Sequence, residues 1–290
     1  VPREIALLTN PAAGKGRAGR ARGPVLARLR EAGLVVRDLV GASAEESEAM
    51  AAQAVADGVD ALVVVGGDGM VHLATQVLAG SSTALGVVPA GTGNDVARYL
   101  DLPRTDPVAA ADRVIAGRTR TIDLARVGDR HFVTVLCAGF DALVNERANE
   151  MSWPRGQMRY NIATLAELRV FEPLRYTLDL DGTSLSLEAM LVAVGNGPSY
   201  GGGLRMCEGA DLTDGLLDVV VIKPLSRAGL VRTYPKLFRG THTTHPQYER
   251  HRVRSVTVAS PGITAYADGE RFGGLPLTVT AAPGALTVLA

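Results

Sequence analysis

The sequence predicts an α/β domain with a parallel sheet, followed by a mainly antiparallel β-sandwich domain. Over residues 5–122, short apolar runs alternate with helix-like stretches, the pattern produced by parallel strands joined by helical crossovers. Beyond Asp123, short strand candidates are separated by Gly, Pro and Asp, which suits a sandwich. The Gly-rich segments of the first half, residues 10–19, 66–69 and 89–94, each directly follow an expected strand. In a parallel sheet all three would meet at the carboxyl edge, where such sheets bind ligands. The division falls at 123/124, giving domains 1–123 and 124–290.

In chain order, IALLTN is the first strand, PVLARLREAG a helix, LVVRDLV a strand and AEESEAMAAQAVADG a helix. ALVVVGG is a third strand, rich in β-branched residues. An Ala/Val/Leu helix then runs to Leu78, ALGVVPAG is the fourth strand and NDVARYL a short helix. In the second half HFVTVLCAGF, LRYTLDLDG, LSLEAMLVAVGNG, GLLDVVVI, RVRSVTVAS, GITAYADG, LPLTVT and ALTVLA are strand candidates, interrupted by one helical stretch at 160–170.

Composition excludes several functions. With 290 residues, 47% hydrophobic and 21% charged, the chain has room for one large or two average folded domains. Its 30 Lys+Arg are balanced by 30 Asp+Glu, whereas binding a nucleic-acid backbone usually takes a basic excess, so no nucleic-acid partner is expected. Cys137 and Cys207 lack CxxC spacing, and a reducing cytoplasm is the simpler setting. The opening VPREIALLTN lacks the features of a signal peptide, and no apolar run approaches the ~18 residues that cross a bilayer. Membrane contact is therefore expected to be peripheral.

GKGRAG puts Gly14, Gly16 and Gly19 in a GxGxxG after a strand, with Asp38 near the spacing of a ribose-binding acid. Alone, this is a dinucleotide fingerprint, but it leaves two other loops without a role. No GxxxxGK[ST] occurs, so a Walker-type P-loop is excluded. Together, NPAAGKG (10–16), GGDGM (66–70) and PAGTGND (89–95) favour a nucleoside triphosphate. Their glycines let backbone N–H groups approach an anion, and Lys15, Arg17, Arg20 and Arg22 add positive charge. Asp68 would attract phosphate through Mg²⁺. The competing reading is three ordinary strand-to-helix turns, with Asn94 capping NDVARYL and Thr92 beside that cap.

These loops resemble the nucleotide-binding half of the diacylglycerol kinase catalytic-domain family, which includes sphingosine and ceramide kinases. CAGFDA (137–142), GNGPSYGGG (195–203), ADLTDGLLDVVVI (210–222) and ADGE (267–270) follow in the order of the bacterial lipid kinases. The resemblance implies an α/β nucleotide-binding domain, a β-sandwich lipid and metal domain, and an active site in the cleft between them. The implied activity is ATP-dependent transfer of a γ-phosphate to the hydroxyl of diacylglycerol or a related lipid alcohol. By the same resemblance Asn10, Pro11, Ala12, Ala13, Gly14, Gly66, Gly67, Gly69, Thr92 and Asn94 hold ATP, with Ser43 standing where the family often has threonine. Asp68, with Asp123, would organise catalytic Mg²⁺. Asp211, Asp214 and the main-chain carbonyl of Leu216 would form a second, structural metal site, the alternative being an Asp-Gly turn feeding a strand. Glu270 would accept the proton of the lipid hydroxyl, the alternative being an exposed glutamate on a hairpin turn.

The sequence departs from the family pattern after GGDG, where threonine and, two residues on, asparagine are replaced by Met70 and His72. An NAD kinase-like enzyme, sharing the GGDG loop, and a nucleotide- or lipid-binding regulator without turnover stay open. The expected partners are ATP and a lipid at the inner face of the membrane, visited by a cytoplasmic protein; a homodimer is left open. His242, His245 and His251 fit a solvated loop better than a zinc site. The cations Arg232, Lys236, Arg239, Arg250, Arg252 and Arg254 would either rest on an anionic bilayer or form a solvated face. Leu230, Tyr234, Leu237 and Phe238 would supply apolar contacts, with Pro235 interrupting a regular amphipathic helix. Trp153 is either an interfacial anchor or core.

Overall fold

Aliphatic runs with helices on both sides form the first layer of the computed structural model, which describes residues 4–139, 144, 147, 151, 153 and 172–290. Strands β1 (Glu4–Thr9), β2 (Val35–Val40), β3 (Ala61–Gly66) and β4 (Ala84–Pro89) pair in parallel in the order β2-β1-β3-β4. Every residue of β3 and β4 is buried, as expected for parallel strands covered on both faces. Helices α2 (Ala44–Ala56) and α3 (Asp68–Leu78) cover Ala6, Leu8, Leu62 and Val64. On the opposite face α1 (Ala13–Glu31) and α5 (Pro107–Ala116) cover Ile5, Leu7, Val63 and Val65. Between β4 and α5 lies the short α4 (Asp95–Tyr99). Helix α5 has no counterpart in the sequence reading above. Its signal is a Pro at the first turn behind Asp106, whose carboxylate accepts the Val108 and Ala109 N–H groups.

The second half adds β5 (Thr119–Val127), β6 (Arg130–Phe132), β7 (Val135–Gly139), β8 (Leu174–Leu180), β9 (Thr183–Ala189), β10 (Leu191–Gly195), β11 (Leu217–Ile222) and α6 (Arg227–Leu237). Then come β12 (Tyr248–Val253), β13 (Ser255–Ala259), β14 (Thr264–Ala267), β15 (Glu270–Gly274) and β16 (Leu277–Leu289). Six strands form an antiparallel sheet ordered β12-β11-β10-β7-β14-β15. The rest extend the first sheet to ten strands, running β4-β16-β13-β8-β9 with β5 on β16. Tyr176, Leu178, Val256, Val258 and Val279 of that sheet face Leu136, Ala138, Val192, Val194, Val219 and Val221 of the other, giving the sandwich core.

LPLTVT and ALTVLA prove to be one strand, β16, with an irregularity between Ala282 and Leu286 at Pro283-Gly284. Its first part pairs with β13, its last with β5, and Val288 reaches Leu85 of β4 in parallel. The C-terminal strand thus belongs to the core of both halves. Helix α6 forms despite Pro235, which falls in its last turn. The expected helical stretch at 160–170 and residues 140–142 of CAGFDA lie outside the described residues. Trp153 is exposed.

Candidate active site

Parallel register sets the site. Thr9 pairs with Val40 and Val65, and Gly66 with Pro89, so β1, β2, β3 and β4 end level and their loops leave from one edge. Loop 10–16 is folded on itself. Asn10 Oδ1 accepts the Ala12 N–H at 3.0 Å, leaving Pro11 and Ala12 exposed and Ala13 partly buried. Gly14, Lys15 and Gly16 take φ of +60°, +60° and +80° before the regular part of α1 begins. A Cβ on Gly14 would lie 1.8 Å from the carbonyl oxygen of Ala90, so glycine is required for this loop to touch loop 89–94. Arg17 ties the two by donating to Gly14 O at 3.1 Å and to Gly91 O at 2.6 Å. Gly67 and Gly91 cross so closely that a Cβ on Gly91 would sit 2.4 Å from the Gly67 Cα. The three loops expected to cooperate therefore form one surface, with Gly69 and Thr92 exposed on it and Gly66 buried beneath it.

Asp68 stands at the centre. Its two carboxylate oxygens accept the main-chain N–H groups of Asn94 and Asp95 at 2.7 Å each, so Asp68 caps α4 from another loop. Asn94 occupies the N-cap position with φ +53° but does not cap by side chain. Instead its amide exchanges two bonds with the Gly91 backbone, pinning loop 89–94. Burial, then the charges of Asp95 and Asp268, push the Asp68 carboxyl up to about 6, against the pull of its two N–H donors. Asp68 and Asp95 both border Gly93, where a Cβ would lie 2.6 Å from Asp68 Oδ2 and 3.4 Å from Asp95 Oδ2, and two carboxylates so placed are hard oxygen donors of the kind Mg²⁺ takes. Asp95, absent from the sequence expectations, is buried and accepts the Gly202 N–H at 2.7 Å and the Ser199 hydroxyl at 3.2 Å. It brings the GNGPSYGGG loop of the second half onto the nucleotide edge. Its only sequence signal was its place beside Asn94.

Other expected site residues are placed differently. Ser43 is exposed at the end of β2 and caps α2 by accepting the Glu46 N–H at 3.2 Å. Asp38 is held by Arg22, which removes the acid of the dinucleotide fingerprint. Asp123 accepts the Gly215 and Gly284 N–H groups at 2.7 Å each on its two carboxylate oxygens, tying the 210–216 loop to β16. In that loop Asp211 accepts from Thr213 and the Tyr99 hydroxyl, bonds led by Thr213 that pull its carboxyl below the ordinary range. Asp214 accepts the Leu216 N–H at 3.0 Å on one oxygen and carries the Arg252 guanidinium on the other. One carboxylate of the expected donor set, Asp214, is thus paired with a cation, Arg252, in this arrangement. Arg250 likewise pairs with buried Asp218, so neither arginine is a free surface cation. His242 bonds to Met206 O and His245 to the Gln247 N–H, His251 Nε2 lies 2.8 Å from Glu249 Oε1, and the described residues contain no cluster of three metal-ligating side chains.

Glu270 is exposed and begins β15 directly after the two-residue turn Asp268-Gly269, both at positive φ, as a type I′ hairpin requires. Asp268 is buried. Burial raises its carboxyl, but bonds from His72, Thr134 and Val133 outweigh this and hold it below the usual aspartate range. Met70 turns into the core over Gly66 rather than onto the loop surface.

Glycine loops at one edge of a parallel sheet, a central carboxylate and a sandwich domain closing on them define a phosphate-binding protein of the two-domain kinase class. Residues 4–127 match the diacylglycerol kinase catalytic domain, and residues 134–290 the YegS C-terminal NAD kinase beta sandwich-like domain. The chain is 47% identical to a diacylglycerol kinase of Mycobacterium tuberculosis, over 99% of this chain and 94% of that one. It is 28% identical to a diacylglycerol kinase of Bacillus subtilis, over 93% and 90%. The crystal structure of a diacylglycerol kinase from Bacillus anthracis superposes with a TM-score of 0.78 at 22% identity, over 99% of this chain and 97% of that one, a likeness of fold. The chain belongs to the diacylglycerol kinase catalytic domain family.

Proposed function

We propose that this chain is a diacylglycerol kinase that transfers the γ-phosphoryl group of ATP to the hydroxyl of diacylglycerol or a related lipid alcohol. The observation that carries this is the joining of the three-loop edge to the Asp268-Gly269-Glu270 turn, in a chain similar over its whole length to diacylglycerol kinases. Loops 10–16, 66–69 and 89–94 offer backbone N–H groups to the phosphates, with Arg17 and Lys15 beside them. Asp68 and Asp95 would hold Mg²⁺, which when bound neutralises charge building on the phosphate oxygens. Glu270, free in solvent at the head of β15, orients the acceptor hydroxyl and takes its proton late, as a loose phosphoryl-transfer transition state allows.

Among the described residues no helix is long and apolar enough to cross a membrane; we infer that the protein meets its lipid peripherally, at the cytoplasmic face. Turnover of labelled ATP with diacylglycerol in mixed micelles tests the assignment against NAD as acceptor and against a regulator without turnover. Glu270→Gln should lower kcat by about 100-fold or more, the range for a general base, with ATP affinity retained. Near-normal turnover would remove Glu270 from the mechanism. Light scattering of the same sample reports monomer or homodimer.

A further inference from the structure

His72 departs from the family pattern, and its surroundings supply a reason. The ring is buried, its Nδ1 lies 3.3 Å from Asp268 Oδ2, and the two side chains are 8% and 3% exposed. Asp268 also accepts the Val133 and Thr134 N–H groups at 2.9 Å each and the Thr134 hydroxyl at 2.6 Å, so every bond that holds this turn residue except His72 comes from the β6–β7 corner. On its other side His72 faces Gln76, whose Oε1 accepts the His131 N–H at 2.9 Å; its Nε2 donates to His131 O at 2.8 Å and to His72 O at 3.1 Å, and lies 3.4 Å from His72 Nε2. A carboxylate oxygen can only accept, so the one facing Nδ1 places the proton of a neutral imidazole on Nδ1, donated to Asp268. Phe272, two residues beyond Glu270 at the irregularity in the β14–β15 pairing, meets the His72 ring edge-on with centroids 5.9 Å apart.

We propose that His72 is a positioning residue: through Asp268 and Phe272 it couples α3, whose first residue is Asp68, to the hairpin that presents Glu270, and so sets the acceptor hydroxyl against the nucleotide edge. Asparagine carries its donor on the atom next to Cγ, as histidine carries Nδ1, so the two residues place an N–H at the same reach from the backbone. The replacement keeps the bond and adds the aromatic contact with Phe272. Coupling of this kind acts on the reaction geometry and not on nucleotide affinity, because His72 lies outside the glycine loops and the Asp268 charge that reaches Asp68 is kept when His72 is replaced.

The proposal rests on Glu270 as acceptor of the hydroxyl proton, and the test separates the two. His72→Asn, His72→Leu and Glu270→Gln are compared with the parent chain for kcat on diacylglycerol micelles, for ATP affinity by calorimetry without lipid, and for unfolding midpoint. His72→Leu should lose about 10- to 100-fold in kcat, the scale of a misplaced reacting group, with ATP affinity unchanged, while His72→Asn stays within about threefold of the parent. If His72→Leu does not fold, His72→Gln takes its place, its donor lying one carbon too far out, and the same loss is expected. Unchanged kcat in the donorless variant, equal loss in His72→Asn, or a loss of kcat matched by loss of ATP affinity each overturns the proposal. If Glu270→Gln keeps normal turnover, both readings fall; if Glu270→Gln is inactive while His72→Leu is not, only the His72 proposal falls.

Discussion

At Asp68 two opposing effects meet in one carboxylate. Two main-chain donors stabilise its charge, while burial and the neighbouring Asp95 and Asp268 oppose it, and the second group wins, leaving the carboxyl near 6. An unfolded aspartate titrates near ~3.9, so the ligand-free fold favours the protonated form. That contribution is fully present below the unfolded value and lost as pH rises through about 6. Asp68→Asn imitates the protonated state. In metal-free buffer the stability of Asp68→Asn relative to the parent should therefore improve as pH rises from 5 to 7.5, by roughly 1 to 1.5 kcal/mol in denaturant titrations. A difference independent of pH would show that Asp68 is not strained by its neighbours. Saturating Mg²⁺ and ATP should abolish the trend in the parent, because the cation then supplies what the proton supplied. Met70 illustrates the opposite limit: buried over Gly66, it fills core space and offers nothing to phosphate.

The 210–216 loop and the β11–β12 pair show how an element can satisfy its own charge. Arg252 and Asp218 are direct cross-strand partners, and Arg252 reaches both Asp218 and Asp214, while Arg250 pairs more closely with the same Asp218 oxygen. Arg252 is about half exposed, so its pair with Asp214 contributes modestly to stability, on the order of 1 kcal/mol or less. Its larger consequence is to occupy the carboxylate that a second cation would need. In an Asp68→Asn background, which silences the nucleotide edge, exchanging EDTA for Mg²⁺ should leave the unfolding midpoint unchanged. Adding Arg252→Ala should lower the midpoint in EDTA and make it rise with Mg²⁺. A Mg²⁺-dependent midpoint before Arg252 is removed would mean that the cation displaces the guanidinium. The Asp-Gly turn of the sequence analysis is thus present, and Arg252 closes it in this fold.

Across the whole molecule β16 decides how the halves behave. It lies between β4 and β13, and Leu286 and Val288 pack with the α/β core while Val279 packs in the sandwich. Asp123 adds a second tie by holding the 210–216 loop and Gly284 of β16 at once. We expect scanning calorimetry to show one transition whose van't Hoff and calorimetric enthalpies agree, since separating the halves would break both cores. Two resolved transitions would refute the shared core. Much of this protein was legible in its sequence. Alternating strands and helices put the loops after Thr9, Gly66 and Pro89 on one edge, because parallel pairing forces strand ends into line. The Asp268-Gly269 turn followed from residues that tolerate positive φ. These features are local or periodic, and chain chemistry determines them within a few residues. Only the tertiary structure decided that Asp95 and Asp268 surround Asp68, that Asp123 serves β16 instead, that Arg252 closes on Asp214, and that His72 meets a carboxylate 196 residues away. Such contacts have no period and no spacing in the sequence. Sheet order and the return of the last strand create them, bringing distant residues within bonding distance after the backbone has been placed.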